Sequence, residues 1–472
     1  MTTTPLHAQT FSELQPHLQS RALRVCDVVD AHLRRIAIVN DDVNAVVRVL
    51  DDDARQQAAA LDDGPIRGPL HGLVVTVKES VDCVGSPTTM GIPALARMQP
   101  SQDAPVVERL RAAGAVVIGR TNMSELGLRL STDNPLHGPT LNPYNPTLSA
   151  GGSSGGDGVA VATGMSMVGV GSDMGGSVRS PAFCCGVVGY KPSLGRLPRA
   201  SSLPAGDEGF ALQHFWVDGL LGRSIDDVLQ VASVVHGAHP RDPRSEDRPW
   251  TTSPVPRRAG LVVDVPGTQL PSAVRQALQR AAGVLEQHGW DVVEVQLPDL
   301  DAVHTCWTQI VALEQQAQLD VSERLLRRPT FELLQRLIRE VDLDDGLDVM
   351  LARRAQHMAQ WRDLFKTTPV VLAPSYTRLP WPPDADLDAH AGVQLLRDTA
   401  RTLTPANVLG LPALALPTDV NVVDDTLGEV APVGVQLMAD RWRDDVVLDV
   451  GRLLQSAVGE AQVVDPLPAD WA

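Results

Sequence analysis

Apolar runs of strand length alternate with amphipathic helical stretches along this chain, and that alternation constrains its fold more than any other feature. In "LRVCDVVDAHLRRIAIVN", Val25, Val28, Val29, Leu33 and Ile36 recur at helical spacing and mark one buried face. "NAVVRVL" then has strand character, "DARQQAAALDDG" reads as a helix stopped by glycine, and "LVVTV" as a buried strand. "APVVERLRAAG", stopped at Gly114, and "AVVIG" repeat the pair, as do "PSAVRQALQRAAGVLEQHG" and "WDVVEVQL" further on. "PVVLAP", "ALALP" and "VGVQLM" read as later strands. The pattern predicts an α/β fold with a large mixed, mostly parallel central sheet surrounded by helices. The 472 residues contain no internal repeat and no convincing linker, so one domain over residues 1–472 is expected.

Residues 121–155 break this rhythm. "STDNPLHGPTLNPYNPTLSAGGSSGG" is rich in residues that favour turns, and long ordered loops in compact domains tend to be functional. It leads into "AGGSSGGDG" (150–158), and "GSDMGGSVR" (171–179) follows soon after. Glycine pairs let backbone approach a ligand closely. In the second segment the N–H groups of Met174, Gly175, Gly176 and Ser177 have the sequence to converge on one oxygen as an oxyanion hole. A serine nucleophile needs a base, and no histidine lies between His137 and His214. Lys78 closes the apolar run "LVVTVK", where burial disfavours its charged form, and serine–lysine pairs are an alternative to the histidine triad. Taken singly, a flexible turn at the serines and a solvated strand end at Lys78 remain open.

Together these segments carry a resemblance. "GPLHGLVVTVKES", "SAGGSSGGDGVAVATG" and "VGSDMGGSVRSPAFCCGVVGYKPS" resemble the signature of the amidase signature family, hydrolases with a Ser-cisSer-Lys triad. The likeness continues through "VDGLLGRSIDDV", "HPRDPRS", "TPANVLGLPALALP" and "PVGVQLM". It implies a catalytic core over about residues 65–200 and a variable, substrate-shaping region over about 295–400. By the same resemblance Ser177 is the acylated nucleophile, Ser153 a proton relay preceded by a cis peptide, and Lys78 the general base. Ser154 would steady Ser153 and Asp173 would orient the oxyanion loop. Arg179 matches a family arginine near the site, although an ion pair that anchors the loop is the favoured role. Leu128, Ser131 and Thr132 fall where family members line the pocket wall. Ala150, Glu79, Ser80 and Asp157 depart from the usual pattern without removing a triad member. Cys184 and Cys185 read as small buried filler.

The implied activity is hydrolysis of a small uncharged carboxamide through a Ser177 acyl-enzyme, with esters or carbamates as related substrates. A glutamine-hydrolysing subunit of a tRNA-dependent transamidation complex is the alternative biological role. Trp307, Trp361, Tyr376 and Trp381 lie in the variable region, as pocket wall or as core. "GGSSG" also satisfies the nucleophile-elbow pattern around Ser153, but a loop rather than a strand precedes it. No P-loop, Rossmann fingerprint or clustered metal-ligand spacing is present, so no cofactor and no metal are expected. A net charge of −17 without a basic block argues against direct nucleic-acid binding. Five scattered cysteines suit a reducing compartment, and the amino terminus lacks a signal pattern. A cytoplasmic protein with no membrane association is expected, with homodimer formation open.

Overall fold

The computed structural model describes residues 4–201, 208–250, 254–423 and 430–467. Its strands are β1 (Val46–Val49), β2 (Val74–Lys78), β3 (Val116–Thr121), β4 (Val168–Asp173), β5 (Val188–Lys191), β6 (Val217–Gly222), β7 (Arg258–Leu261), β8 (Asp291–Glu294), β9 (Val370–Pro374), β10 (Ala413–Val423) and β11 (Val430–Ala439). They form one eleven-stranded sheet in the order β1-β3-β2-β4-β6-β5-β10-β11-β9-β7-β8, with helices packed around it. β2 is buried at all five positions because it has strand neighbours on both sides and helices above and below, which is why it reads as a near-continuous valine run rather than as alternation.

The large mixed sheet is as expected, but its strand pairings are not mostly parallel. β2–β3, β2–β4, β7–β8 and β7–β9 run parallel, whereas β1–β3, β4–β6, β5–β6, β5–β10, β10–β11 and β9–β11 run antiparallel. The reason is topological. Strand–helix–strand crossovers build the parallel stretch β3-β2-β4 and the far edge, while the middle of the sheet is made of strands that turn back on a neighbour.

Where helical periodicity is strong, the helices form as expected. The first periodic stretch forms the helix Val25–Val43, ended by Asn44 in left-handed conformation at φ 50°, and "DARQQAAALDDG" lies in the helix Asp51–Asp63. Lys78 closes β2 and Asp173 closes the adjacent parallel strand β4. The loop from residue 122 to 154 passes over these strand ends and enters the helix Gly155–Ala162. One end of the sheet thus collects the lysine and both serine segments, at the carboxyl ends of parallel strands.

Candidate active site

Lys78 is wholly buried and carries no carboxylate in contact among the described residues; its Nζ meets three hydroxyls instead. Ser153 Oγ lies at 2.6 Å, Ser154 Oγ at 2.8 Å and Ser172 Oγ at 3.1 Å. These hydroxyls are not equivalent. Ser154 Oγ–H donates to the Ser172 carbonyl at 3.3 Å, and Ser172 Oγ is hydrogen-bonded to Ser80 Oγ at 3.3 Å. Among the described residues Ser153 Oγ has no hydrogen-bond partner besides Lys78 Nζ, so its hydroxyl is free to donate to the lone pair of the uncharged amine. Burial pushes the Lys78 pKa down to about 8, against the opposing pull of Asp157, Asp173 and Asp218.

The Gly152–Ser153 peptide is cis. Its loop is held at both ends by Thr132, whose Oγ1 donates to Gly151 O at 2.8 Å and accepts from Gly155 N–H at 2.9 Å. Gly152 has to be glycine, since a Cβ there would strike Arg129 O. The two serine segments are joined where Ser154 N–H donates to Ser177 O at 3.1 Å. Ser177 is half-buried, and Ser153 is 3% exposed. The structure thus brings Lys78, Ser153, Ser154 and the Ser177 segment together.

Asp173 fixes the loop that follows. Its Oδ1 accepts from Gly176 N–H at 2.8 Å and its Oδ2 from Val178 N–H at 3.2 Å. This alters the expected oxyanion hole. The Gly176 N–H is committed to the aspartate, which leaves those of Met174, Gly175 and Ser177 without an acceptor among the described residues. Arg179 grips the same carboxylate through Nε at 3.1 Å and Nη2 at 3.0 Å, and also donates to Leu403 O, Gln436 Oε1 and Asn407 Oδ1. Burial alone would raise the Asp173 pKa, yet Arg179, with Lys191 and Asn407, holds it well below the usual carboxylate range. Arg179 is fully buried with its donors engaged by protein, so it anchors the loop and does not face a ligand.

The expected wall residues divide. Leu128 is half-buried in a second apolar cluster with Met90, Met123, Leu126 and Trp216. A Cβ at Gly127 would stand 3.6 Å from Ser153 Oγ, so this cluster borders the serine. Ser131 and Thr132 instead serve the protein: Ser131 Oγ accepts from Asp384 N–H at 3.1 Å, and Thr132 holds the serine loop. Of the four aromatic residues, Trp361, Tyr376 and Trp381 are core. Trp307 alone reaches the site, donating from Nε1 to Met174 O at 2.9 Å and packing where a Gly175 Cβ would fall.

The departures from the family pattern also have places. Glu79 is buried, accepting from Thr89 and from His137 at 2.8 Å, and Ser80 joins the hydroxyl cluster. Asp157 accepts from Thr121 Oγ1 at 2.8 Å, and burial pushes it up to about 7 against that bond and the cations Lys78 and Arg120. Cys184 and Cys185 are buried, with thiol pKa values raised by that burial. Sequence reasoning missed Ser172, Asn407, Gln436 and Asp218. Asn407 and Gln436 do stand out as amides within the apolar runs "TPANVLGLP" and "PVGVQLM", where a buried polar side chain needs a partner. Among the described residues no helix is long and apolar enough to cross a membrane, and no group of three or more metal-ligating side chains occurs.

Comparison with known proteins gives the family. The Amidase family model matches residues 27–448. The indoleacetamide hydrolase of Bradyrhizobium diazoefficiens is 35% identical over 459 residues, 94% of this chain and 85% of that protein. A glutamyl-tRNA(Gln) amidotransferase subunit from Nitratidesulfovibrio vulgaris is 30% identical over 96% of this chain and 97% of its own length. The solved structure of 6-aminohexanoate cyclic dimer hydrolase with substrate superposes with a TM-score of 0.81 at 26% identity, covering 97% of this chain and 98% of that one. The chain belongs to the amidase signature family, hydrolases acting on carbon–nitrogen bonds other than peptide bonds.

Proposed function

We propose that the protein hydrolyses a small, uncharged carboxamide with an apolar acyl group, through an acyl-enzyme on Ser177. The uncharged Lys78 amine takes the Ser153 proton as Ser153 takes that of Ser177, and Ser177 Oγ attacks the carbonyl carbon. Negative charge then develops on the carbonyl oxygen, toward the N–H groups of Met174, Gly175 and Ser177; one such donor is worth about 3 kcal/mol in a transition state. The relay run backwards delivers a proton to the departing nitrogen, and the C–N bond breaks. Water, deprotonated by the same relay, then cleaves the ester and restores Ser177. The observation that carries this reading is the buried Lys78 amine 2.6 Å from a serine whose hydroxyl is free to donate to it.

The acyl preference rests on the apolar cluster of Met90, Met123, Leu126, Leu128 and Trp216 beside Ser153. The α-ammonium and α-carboxylate of glutamine would lose their hydration there without gaining a partner. That favours an arylacetamide over glutamine, and a free-standing enzyme over a component of a transamidation complex. The same reading puts the enzyme in the cytoplasm, as a monomer or homodimer, with its five cysteines reduced. The test is a panel of arylacetamides, anilides, carbamates and glutamine, assayed on the purified chain and on Ser177→Ala. Arylacetamide turnover by the chain alone, lost in Ser177→Ala, is expected. Turnover that survives Ser177→Ala, or activity confined to glutamine and dependent on a second polypeptide, overturns the reading.

A further inference from the structure

Asp218 has no part in the relay as described, yet its position ties it to Lys78. It lies in β6, directly opposite Ser172 of β4 in antiparallel register. Residues paired in this way project to the same face with Cβ atoms about 5 Å apart. Ser172 Oγ is one of the three hydroxyls that hold Lys78 Nζ, so the carboxylate stands one side chain beyond the amine. Asp218 is 3% exposed, and among the described residues its carboxylate has no hydrogen-bond partner. A carboxylate so enclosed and without a donor acts on nearby charges with little screening.

The charges around each group leave these two for one another. Asp218 faces Arg199, Asp242, Asp82 and Lys78. Arg199 is already paired with Glu208 at 3.2 Å and lies over the Trp216 ring. Asp242 is paired with Arg244 at 2.9 Å, and Asp82 accepts from Thr88 Oγ1 at 2.7 Å. Lys78 in turn faces Asp157, Asp173 and Asp218. Asp173 is clamped by Arg179, and Asp157 is bonded to Thr121 and faces Arg120. Among the described residues, Lys78 is thus the cation facing Asp218 that has no carboxylate in contact, and Asp218 the one acid facing Lys78 that has no donor.

We propose that Asp218 is a positioning residue for Lys78: its carboxylate sets, across Ser172, how tightly the lysine holds its proton and hence the pH at which it serves as a base. Burial raises the Asp218 pKa to about 7, so the carboxylate is charged over the range in which Lys78 titrates. It favours the lysine ammonium and keeps Lys78 from becoming neutral too far below working pH. The inference rests on the proposed role of Lys78, but its test does not depend on turnover.

The chain has three lysines, Lys78, Lys191 and Lys366, of which Lys366 is exposed. Selective ¹³Cε labelling therefore resolves their individual titrations. In Asp218→Asn the Lys78 midpoint is expected to fall by about one pH unit, an effect of a nearby charge removed, with Lys191 and Lys366 unmoved. Asp218→Ser removes the charge with a smaller side chain and is expected to give the same shift. The rising limb of kcat/KM against pH should move with the midpoint. A Lys78 midpoint that stays in place in the folded variants, or that moves no further than that of Lys191, overturns the role of Asp218. Loss of turnover in Ser177→Ala tests the function separately.

Discussion

At the residue scale the proposed mechanism turns on an amine whose charged form burial disfavours. Lys78 has its depressed proton affinity because β2 carries it into the interior with no contacting carboxylate, and hydroxyls alone are its hydrogen-bond partners among the described residues. Below its pKa, at about 8, the ammonium has no lone pair for the Ser153 proton, so activity should rise as pH increases through that range. Lys78→Met removes both the base and the rising limb, and steady-state kinetics should show a loss of about 10²–10⁴ in kcat/KM. A variant that kept the wild-type pH profile would assign the base elsewhere. The lysine is legible in the sequence because a cation that closes the run "LVVTV" is an anomaly. Its partners Ser172 and Asp218 are not, since their approach is fixed by the β4–β6 register and not by any local pattern.

At the scale of the element, the segment after β4 is shaped by one carboxylate. Asp173 accepts from Gly176 and Val178, so the loop curls around its own first residue, and Gly176 adopts φ +115° with Leu403 packed where a Cβ would be. That curl orients the N–H groups of Met174, Gly175 and Ser177, and Trp307 of the helix Leu300–Ala317 backs it. The arrangement depends on Arg179, which pairs with Asp173 inside the protein. Arg179→Met would leave a buried carboxylate unpaired, a change that costs about 3–5 kcal/mol. Urea unfolding should therefore show a markedly lower midpoint, whereas an unchanged midpoint would mean that the pair contributes nothing to the loop. The run of four amides was legible as a feature, but the use of Gly176 by Asp173 was not, because a sequence does not show which way an N–H points.

Across the whole molecule, one sheet joins segments far apart in the chain. Lys78 comes from β2, the serines from the loops before and after the helix Gly155–Ala162 and β4, and the supports of Arg179 from Leu403, Asn407 and Gln436, more than 200 residues later. The first third of this plan is visible in the alternation of helix and strand. The antiparallel middle is not, because "VDGLLG" and "VGYK" have glycines where strand pattern is sought, and pairing partners are chosen by tertiary packing. Trp361, Tyr376 and Trp381 likewise proved to be core, since an aromatic side chain has the same composition on a pocket wall as in an interior. The central claim is that Lys78 activates Ser177 through Ser153, and acylation by a fluorophosphonate probe, followed by mass spectrometry across pH, tests it most directly. The account predicts one modified residue, Ser177, labelled at a rate that climbs through a pH of about 8 and collapses in both Lys78→Met and Ser153→Ala. Modification of another residue, or an undiminished rate in either variant, would contradict it.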